Sequence, residues 1–136
     1  MLKNLGSEAA LVVHGEDGLD EITTTGKTFA AELKDGKVKE LVIDPAEFGI
    51  ENATLDKLKG GDANHNAREL AGVLSGKEGA YRDIVLLNSA AAIYVAGKAK
   101  TIKEGLEVAA KSIDEGLAKA KLAKLVEVTN EEVEAA

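Results

Sequence analysis

Apolar and polar positions follow two different periods along the chain, which divide it into a strand-rich first part and a helix-rich remainder. The first apolar run, Ala10–Gly15, reads ALVVHG and ends in glycine. Such a run is typical of a short buried strand in a parallel sheet. Residues 27–44 then form two runs separated by Asp35-Gly36, a dipeptide that favours a two-residue hairpin turn. The pattern therefore predicts one buried strand followed by a β-hairpin.

Pairing outward from the turn gives the register of this hairpin. The predicted cross-strand pairs are Leu33 with Val38, Glu32 with Lys39, and Phe29 with Val42. Residues that alternate along a strand lie on opposite faces of the sheet. One face is therefore expected to be largely apolar, and the other is expected to carry an attractive cross-strand charge pair.

Helix start and stop signals recur after the hairpin. Four residues are predicted helix caps: Asp44, Thr54, Asp62 and Thr101. Asp44 precedes a proline and one short turn that ends before Gly49. Residues 81–98 are apolar on nearly every side, which predicts a central buried helix ending at Gly97.

Two more segments carry an apolar stripe at helical spacing. In residues 63–76 the stripe consists of Ala67, Leu70, Ala71 and Leu74, and after Thr101 it consists of Ile102, Leu106, Ala109 and Ile113. Gly116 separates the latter helix from residues 117–128, and residues 129–136 are expected to fray. The predicted fold class is α/β, α+β-like as a fragment: a short buried strand and a β-hairpin followed by four or five C-terminal helices.

Composition adds limits on size and partners. A chain of 136 residues fits a single domain, residues 1–136. The 24 acidic residues outnumber the 17 basic ones and give a net charge of −7. This charge repels a polyphosphate backbone, so nucleic-acid binding is not expected. An anionic ligand would need a local basic pocket or a bridging metal ion.

Cysteine content and apolar run length restrict the chain further. Without cysteine it forms neither disulfides nor thiolate zinc sites. The N-terminus lacks the pattern of a signal peptide. The longest apolar region, residues 84–97, contains Asn88 and Ser89 and is too short to span a bilayer. A cytoplasmic protein without a membrane segment is expected.

The candidate chemistry lies in residues 15–28, GEDGLDEITTTGKT, which contain four carboxylates. A phosphate-binding P-loop would need glycine where Glu21 stands, and it would have to open a helix where the sequence predicts a strand. An EF-hand counted from Asp17 has Ile22 at its glycine position and Thr28 at its glutamate position. Both motifs are therefore excluded.

Asp20 and Glu21 remain, an adjacent pair of acids beyond a buried strand and close to Gly15 and Gly18. If the glycines let the loop curl, both acids can serve one hydrated Mg²⁺, which takes one or two protein carboxylates and completes its shell with water and phosphate. A solvated acidic turn explains the same residues. The chemistry of the residues leaves both interpretations open.

Several longer segments resemble anthranilate phosphoribosyltransferases. They are LGSEAALVVHGEDGLDEITTTGKT, DPAEFGI, KGGDANHNA, RDIVLLNSAAAIYVAGKA, EGLEVAAKSIDEG and KLAKLV. The resemblance covers essentially the whole chain in the family's order. VVHGEDGLDE and LLNSAAAIYVAGKA are its most specific parts.

The resemblance implies a function for the acidic pair. The family transfers the phosphoribosyl group of 5-phosphoribosyl 1-pyrophosphate (PRPP) to the amine of anthranilate in tryptophan biosynthesis. By resemblance, Asp20 and Glu21 match the pair that binds the Mg²⁺ carrying the pyrophosphate, and no catalytic residue is assigned. The family's helical domain and its GTGGD loop lie upstream of the matching segments. The resemblance thus implies the C-terminal portion of a catalytic domain, inactive alone.

Four other features have a structural interpretation beside a functional one. His14 is predicted to be a positioned structural histidine rather than a general base, Asn88 a satisfied buried amide rather than a substrate contact, and Tyr94 a core residue. The segment from Lys59 to Asp62 is a tight turn with Asp62 as helix cap rather than a phosphate loop.

A non-enzymatic alternative also follows from the pattern. Ala10–Gly15 has the pattern of an interior strand. If its upstream neighbour strands are missing, the strand has an unpaired edge, and such an edge favours association. The chain would then be a truncated or engineered folding module that forms a homo-oligomer or pairs with a partner, for instance a complementing N-terminal part.

Overall fold

The computed structural model describes residues 1–131 and places three strands before five helices. The strands are β1 (Ala10–Gly15), β2 (Thr28–Lys34) and β3 (Lys37–Ile43), and the helices are α1 (Leu55–Leu58), α2 (Ala63–Leu74), α3 (Ala80–Val95), α4 (Ile102–Asp114) and α5 (Leu117–Thr129). Single turns of 3₁₀ helix occupy Leu2–Leu5 and Pro45–Phe48. The α/β class with a strand, a hairpin and C-terminal helices is confirmed. Of the predicted frayed tail, residues 132–136 lie outside the described residues.

The hairpin forms in the predicted register. The predicted pairs of Leu33 with Val38, Glu32 with Lys39, and Phe29 with Val42 are all present. At the turn Asp35 has φ 50° and Gly36 has φ 69°. Two consecutive left-handed residues are what a two-residue turn of type I′ requires. The Asp-Gly signal therefore specifies both the turn and the pairing.

The strand predicted at Ala10–Gly15 is present, but its predicted parallel pairing is wrong. β1 runs antiparallel to β2, from the pair Ala10 with Leu33 to the pair Gly15 with Thr28. The chain returns directly along β1 after one loop, without the crossover that a parallel pair needs. An antiparallel sheet can leave one face uncovered, and Val12 is accordingly 56% exposed.

The two faces of the sheet are composed as predicted, but the helices cover only one of them. The expected apolar face bears Phe29 and Val42, and both side chains are about half exposed. The helices cover the other face, where Ala30 and Ile43 are buried. The Glu32–Lys39 pair belongs to this covered face. Glu32 lies near its end, where its carboxylate accepts a hydrogen bond from the Tyr94 hydroxyl on α3. Tyr94 therefore ties helix to sheet and is not a core residue.

The central helix α3 joins two apolar clusters. Leu87 and Ala91 pack with Ile22 and the covered sheet face. Leu86 packs with Ala109 and Ile113 of α4. The predicted stripe of α4 is thus confirmed. That of α2 is wrong, because Leu70 is 49% exposed and Val73 is the buried residue instead.

Helix caps follow the sequence signals closely. The carboxylate of Asp62 accepts a hydrogen bond from the His65 N–H at 2.7 Å, and that of Asp44 accepts one from the Ala46 N–H at 3.0 Å. The hydroxyl of Thr101 accepts from the Glu104 N–H at 3.1 Å. Thr54 precedes α1 without a side-chain cap bond. Among the described helices none has the length and apolarity needed to cross a bilayer.

Candidate functional site: the acidic loop

The acidic loop, residues 16–27, connects β1 to β2 and begins with a tight curl. The Gly15 N–H donates to the Leu19 carbonyl at 2.8 Å, and the Gly18 N–H donates to the Gly15 carbonyl at 2.9 Å. Gly18 has φ 92°, a conformation that a side chain disfavours. A Cβ at Gly15 would lie 2.5 Å from Oδ1 of Asp17. The glycines therefore produce the curl that the magnesium interpretation requires.

Asp17 forms the centre of the loop. Its Oδ2 accepts hydrogen bonds from the hydroxyls of Thr23 and Thr25, both at 2.6 Å. Its Oδ1 accepts from the Leu19 N–H at 3.1 Å. Burial raises the pKa of Asp17, but the hydrogen bonds from Thr23, Thr25 and Leu19 lower it, and the net pKa lies below the usual value. Asp17 is thus an ionised carboxylate committed to the loop's own structure.

Glu16 is engaged within the loop in a similar way. Its Oε2 accepts from the Lys27 N–H at 3.1 Å, and its own N–H donates to the Lys27 carbonyl at 2.8 Å. These contacts hold the two ends of the loop together. Glu16 therefore closes the base of the loop.

The far side of the loop is attached to the core through Ile22. The Ile22 side chain is 2% exposed and belongs to the cluster around Leu87. Its N–H donates to Oδ1 of Asn88 at 2.9 Å, and its carbonyl accepts from Nδ2 of Asn88 at 2.7 Å. Asn88 is therefore a satisfied amide, as predicted, and it bridges α3 and the loop.

Asp20 and Glu21 project from this anchored loop. Both side chains are exposed, and within residues 1–131 no hydrogen bond or ion pair engages their carboxylates. Partial desolvation of the Glu21 carboxylate raises its pKa, and the negative charges of Asp20 and Asp17 raise the pKa further. Two carboxylates that repel each other and have no hydrogen-bond or ion-pair partner among the described residues are suited to binding a cation.

The carboxylate oxygens of Asp20 and Glu21 fit a Mg²⁺ ion that also binds a phosphate group. No group of three or more metal-ligating side chains occurs in the part of the chain that the structure describes. A cage built entirely by these residues is therefore not present. Mg²⁺ usually takes one or two carboxylates and fills its remaining positions with water and substrate phosphate. Asp20 and Glu21 supply that number and type of oxygen ligand.

Glu21 also lines a cavity of about 680 Å³ between the acidic loop, α1 and α3. Its other lining residues are Leu19, Leu55, Asp56, Leu58, Lys59, Tyr81, Ile84 and Val85. The lining is mostly apolar, and Lys59 is its one cation among the described residues. A phosphate group beside Glu21 would thus meet little positive charge from the chain itself, which favours metal-mediated binding.

Of the other residues considered from the sequence, Lys59 lines the cavity beside Glu21, whereas His14 lies apart from the acidic pair. His14 is exposed on the uncovered sheet face, in a groove with Phe29 and Val42 that includes no residue of the acidic loop. Gly61 and Asp62 form the turn before α2, in which Asp62 is the cap. The structural interpretation of the Lys59–Asp62 segment is the one that its contacts support.

Sequence reasoning did not identify Asp17, Thr23 and Thr25 as the framework of the loop. The signal that points to them is the run of three threonines after the acids. The segment bends at Thr24 and Thr25, and the Thr25 N–H donates to the Thr23 hydroxyl oxygen at 3.0 Å, so that both hydroxyls lie against one acceptor. The identity of that acceptor depends on the curl at Gly15 and Gly18.

Comparison with known proteins shows in which family this sequence and fold occur. Residues 1–119 match the glycosyl transferase family, a/b domain. The anthranilate phosphoribosyltransferase of Azospirillum brasilense is 56% identical over 133 residues, which make up 98% of this chain and 38% of that protein. That of Parvibaculum lavamentivorans is 55% identical over 129 residues, 95% of this chain and 38% of that protein.

Solved structures agree with the sequence relatives. The crystal structure of anthranilate phosphoribosyltransferase from Thermus thermophilus superposes with a TM-score of 0.82 and 36% identity, covering 93% of this chain and 37% of that one. The chain therefore spans less than two-fifths of the length of the proteins it matches. It belongs to the glycosyl transferase family with an a/b domain, and its relatives there are anthranilate phosphoribosyltransferases, enzymes of the glycosyltransferase class.

Proposed function

We propose that Asp20 and Glu21 bind the Mg²⁺ that carries PRPP, in a phosphoribosyltransferase that uses anthranilate as acceptor. The observation that carries the proposal is the unequal use of the four carboxylates in the loop. Glu16 and Asp17 are bonded to the loop itself, whereas Asp20 and Glu21 are exposed. The names of the relatives support the acceptor, and the Saccharomyces cerevisiae enzyme in complex with PRPP and Mg supports the donor; its structure covers 85% of this chain at 31% identity, with a TM-score of 0.77.

The acidic pair has one task in such a reaction, which is to hold the metal ion in place. Mg²⁺, when bound, neutralises the charge that develops on the departing pyrophosphate. Asp20 and Glu21 hold the ion at a fixed place on the surface. The hydrogen bonds from Thr23 and Thr25 to Asp17 keep the loop from rearranging when the metal ion binds. The chain's own contribution is therefore the fixed position of the two ligands.

We further propose that this chain is one portion of a catalytic domain and does not turn over substrate alone. The lining of the cavity next to Glu21 contains Lys59 as its one cation among the described residues. A departing pyrophosphate develops further negative charge, and stabilising it during turnover needs more donors than this surface supplies. The acidic loop accordingly provides the metal-binding half of a phosphate site.

Calorimetric titration with PRPP tests the metal dependence of the site. We expect the chain to bind PRPP in Mg²⁺ and to lose at least about tenfold in affinity in EDTA, because the bridge between two like-charged groups is then removed. Ribose 5-phosphate, which lacks the pyrophosphate, serves as the ligand control and should bind more weakly in Mg²⁺. Equal PRPP affinity with and without Mg²⁺ would contradict the proposal.

A second candidate is a non-enzymatic module that associates with a partner chain or a second copy. The uncovered sheet face favours it, because Val12, Phe29 and Val42 are 56%, 54% and 49% exposed. Large apolar side chains grouped on one face are typical of an interaction surface. Association through this face does not depend on Mg²⁺, so the same titration separates the two candidates.

A further inference from the structure

We infer that Asn88 is a positioning residue for the acidic pair. Its side-chain amide fixes the backbone of Ile22, the residue directly after Glu21, and thereby sets the direction in which Asp20 and Glu21 project. The inference rests on the proposed function only in taking that pair as the metal ligands. Asn88 itself lies on α3, 66 residues further along the chain.

The contact between Asn88 and the loop is reciprocal. Oδ1 accepts from the Ile22 N–H at 2.9 Å, and Nδ2 donates to the Ile22 carbonyl at 2.7 Å. The amide thus bonds both backbone groups of one residue, as a neighbouring strand does in an antiparallel pair. A residue held at both its N–H and its carbonyl has little freedom to rotate.

The support for this amide is rigid. Nδ2 also donates to the Ile84 carbonyl, one turn earlier on α3, at 2.9 Å. The preceding residue, Leu87, is fully buried, and Ile84 is 8% exposed. Both donor hydrogens of the amide are therefore used, and its orientation is fixed by the central helix rather than by solvent.

The two ligands lie between two anchored amides. On one side the Leu19 N–H donates to Asp17 at 3.1 Å, and on the other the Ile22 N–H donates to Asn88 at 2.9 Å. Only Asp20 and Glu21 separate these points. The Ile22 amide belongs to the same peptide plane as the Glu21 carbonyl, so Asn88 acts on the backbone of Glu21 through one rigid unit.

Three variants distinguish positioning from simple filling of space. Asn88→Ala removes every bond to Ile22. Asn88→Asp keeps the shape and an acceptor for the Ile22 N–H but loses both donations. Ser89→Ala, the control, shortens the neighbouring half-buried side chain on the same helix.

Two readouts are measured on the whole chain, with folding checked by circular dichroism. We expect Ile22 amide exchange to become roughly tenfold faster in Asn88→Ala, as the loss of a hydrogen bond implies. The affinity for PRPP in Mg²⁺ should fall about tenfold or more, the usual effect of losing a group that orients a metal ligand. Asn88→Asp should show weakened binding with smaller loss of exchange protection, and Ser89→Ala should match the wild type in both.

The outcomes separate this inference from the proposed function. Folded Asn88 variants with unchanged PRPP affinity would show a purely structural amide and overturn the inference. A wild-type chain that binds no PRPP in Mg²⁺ contradicts the proposed function instead. In that case the NMR backbone shifts of Asp20 and Glu21 decide: they move in Asn88→Ala if the amide positions the pair, and their constancy would overturn the inference.

Discussion

Replacing Asp20 with Asn and Glu21 with Gln together is expected to reduce the Mg²⁺-dependent affinity for PRPP by at least about 100-fold, since loss of an outer-sphere partner alone typically costs 10–100-fold. The amides keep the shape of both side chains and remove both charges. The double substitution should not lower the stability of the fold. Partial desolvation of its carboxylate and the neighbouring charges of Asp20 and Asp17 raise the pKa of Glu21, so its ionised form is disfavoured in the folded protein. At neutral pH the thermal midpoint of the variant should equal or exceed that of the wild type.

The combination of lost binding and retained stability is what identifies a binding site here. Glu40→Gln together with Glu107→Gln is the matched control, since it removes two exposed carboxylates elsewhere and gives the same net charge. That variant should bind PRPP like the wild type. If both double variants lose the same affinity, the effect is one of net charge, and the assignment of Asp20 and Glu21 is wrong.

Gly105→Ala is expected to destabilise the protein by about 2 kcal/mol, although the intrinsic helix propensity of alanine is about 1 kcal/mol more favourable than that of glycine. Gly105 is buried where α4 crosses α3. A Cβ there would lie 2.4 Å from the Ala90 carbonyl oxygen. Both groups are attached directly to the backbone, so no rotamer change relieves the overlap and the helices must separate. The thermal midpoint should fall by roughly 5–10 °C.

Gly72→Ala is the matched control for helix propensity. A Cβ at Gly72 in α2 would meet the Lys77 side chain at 3.1 Å, and this flexible chain can move aside. The free energy of unfolding should then stay level or rise slightly. Equal gains in both variants would show that α3 and α4 do not require close backbone contact at Gly105.

Local signals predicted the parts of the fold that depend on neighbours in sequence. Asp35-Gly36 specifies the turn and so the register of the hairpin. Asp62 and Thr101 begin their helices with the expected cap bonds. The nearly continuous apolar pattern of residues 81–98 identified α3, because a helix that is apolar all round has to lie in the core.

The errors concern partners that the local pattern does not specify. β1 was expected in a parallel sheet, yet its partner is β2. An apolar run reads the same in either arrangement. The hairpin pattern predicted an apolar face with Phe29 and Val42 but did not specify which face the helices cover. Ala30 and Ile43, on the other face, belong to the core. Since the strands carry apolar residues on both faces, the pattern alone does not identify the covered face.

The candidate site also has one part that the sequence predicted and one part that only the structure shows. Chemistry alone left the acidic pair undecided between a magnesium site and a solvated turn, and the family resemblance favoured magnesium. The structure adds that Asp17 is bonded within the loop and that Asn88 holds Ile22. Neither contact is visible in the sequence. The first needs the curl at Gly15 and Gly18, and the second joins residues 66 positions apart.

The most direct test of the central claim is to locate the bound metal. Mn²⁺ prefers the same oxygen ligands as Mg²⁺ and broadens the NMR signals of nearby nuclei. In the presence of PRPP, we expect the backbone amide signals of Asp20 and Glu21 to broaden first, and those of Asp114 and Glu115 at the end of α4 to stay sharp. Broadening centred on another acidic segment, with the acidic loop unaffected, would contradict the account.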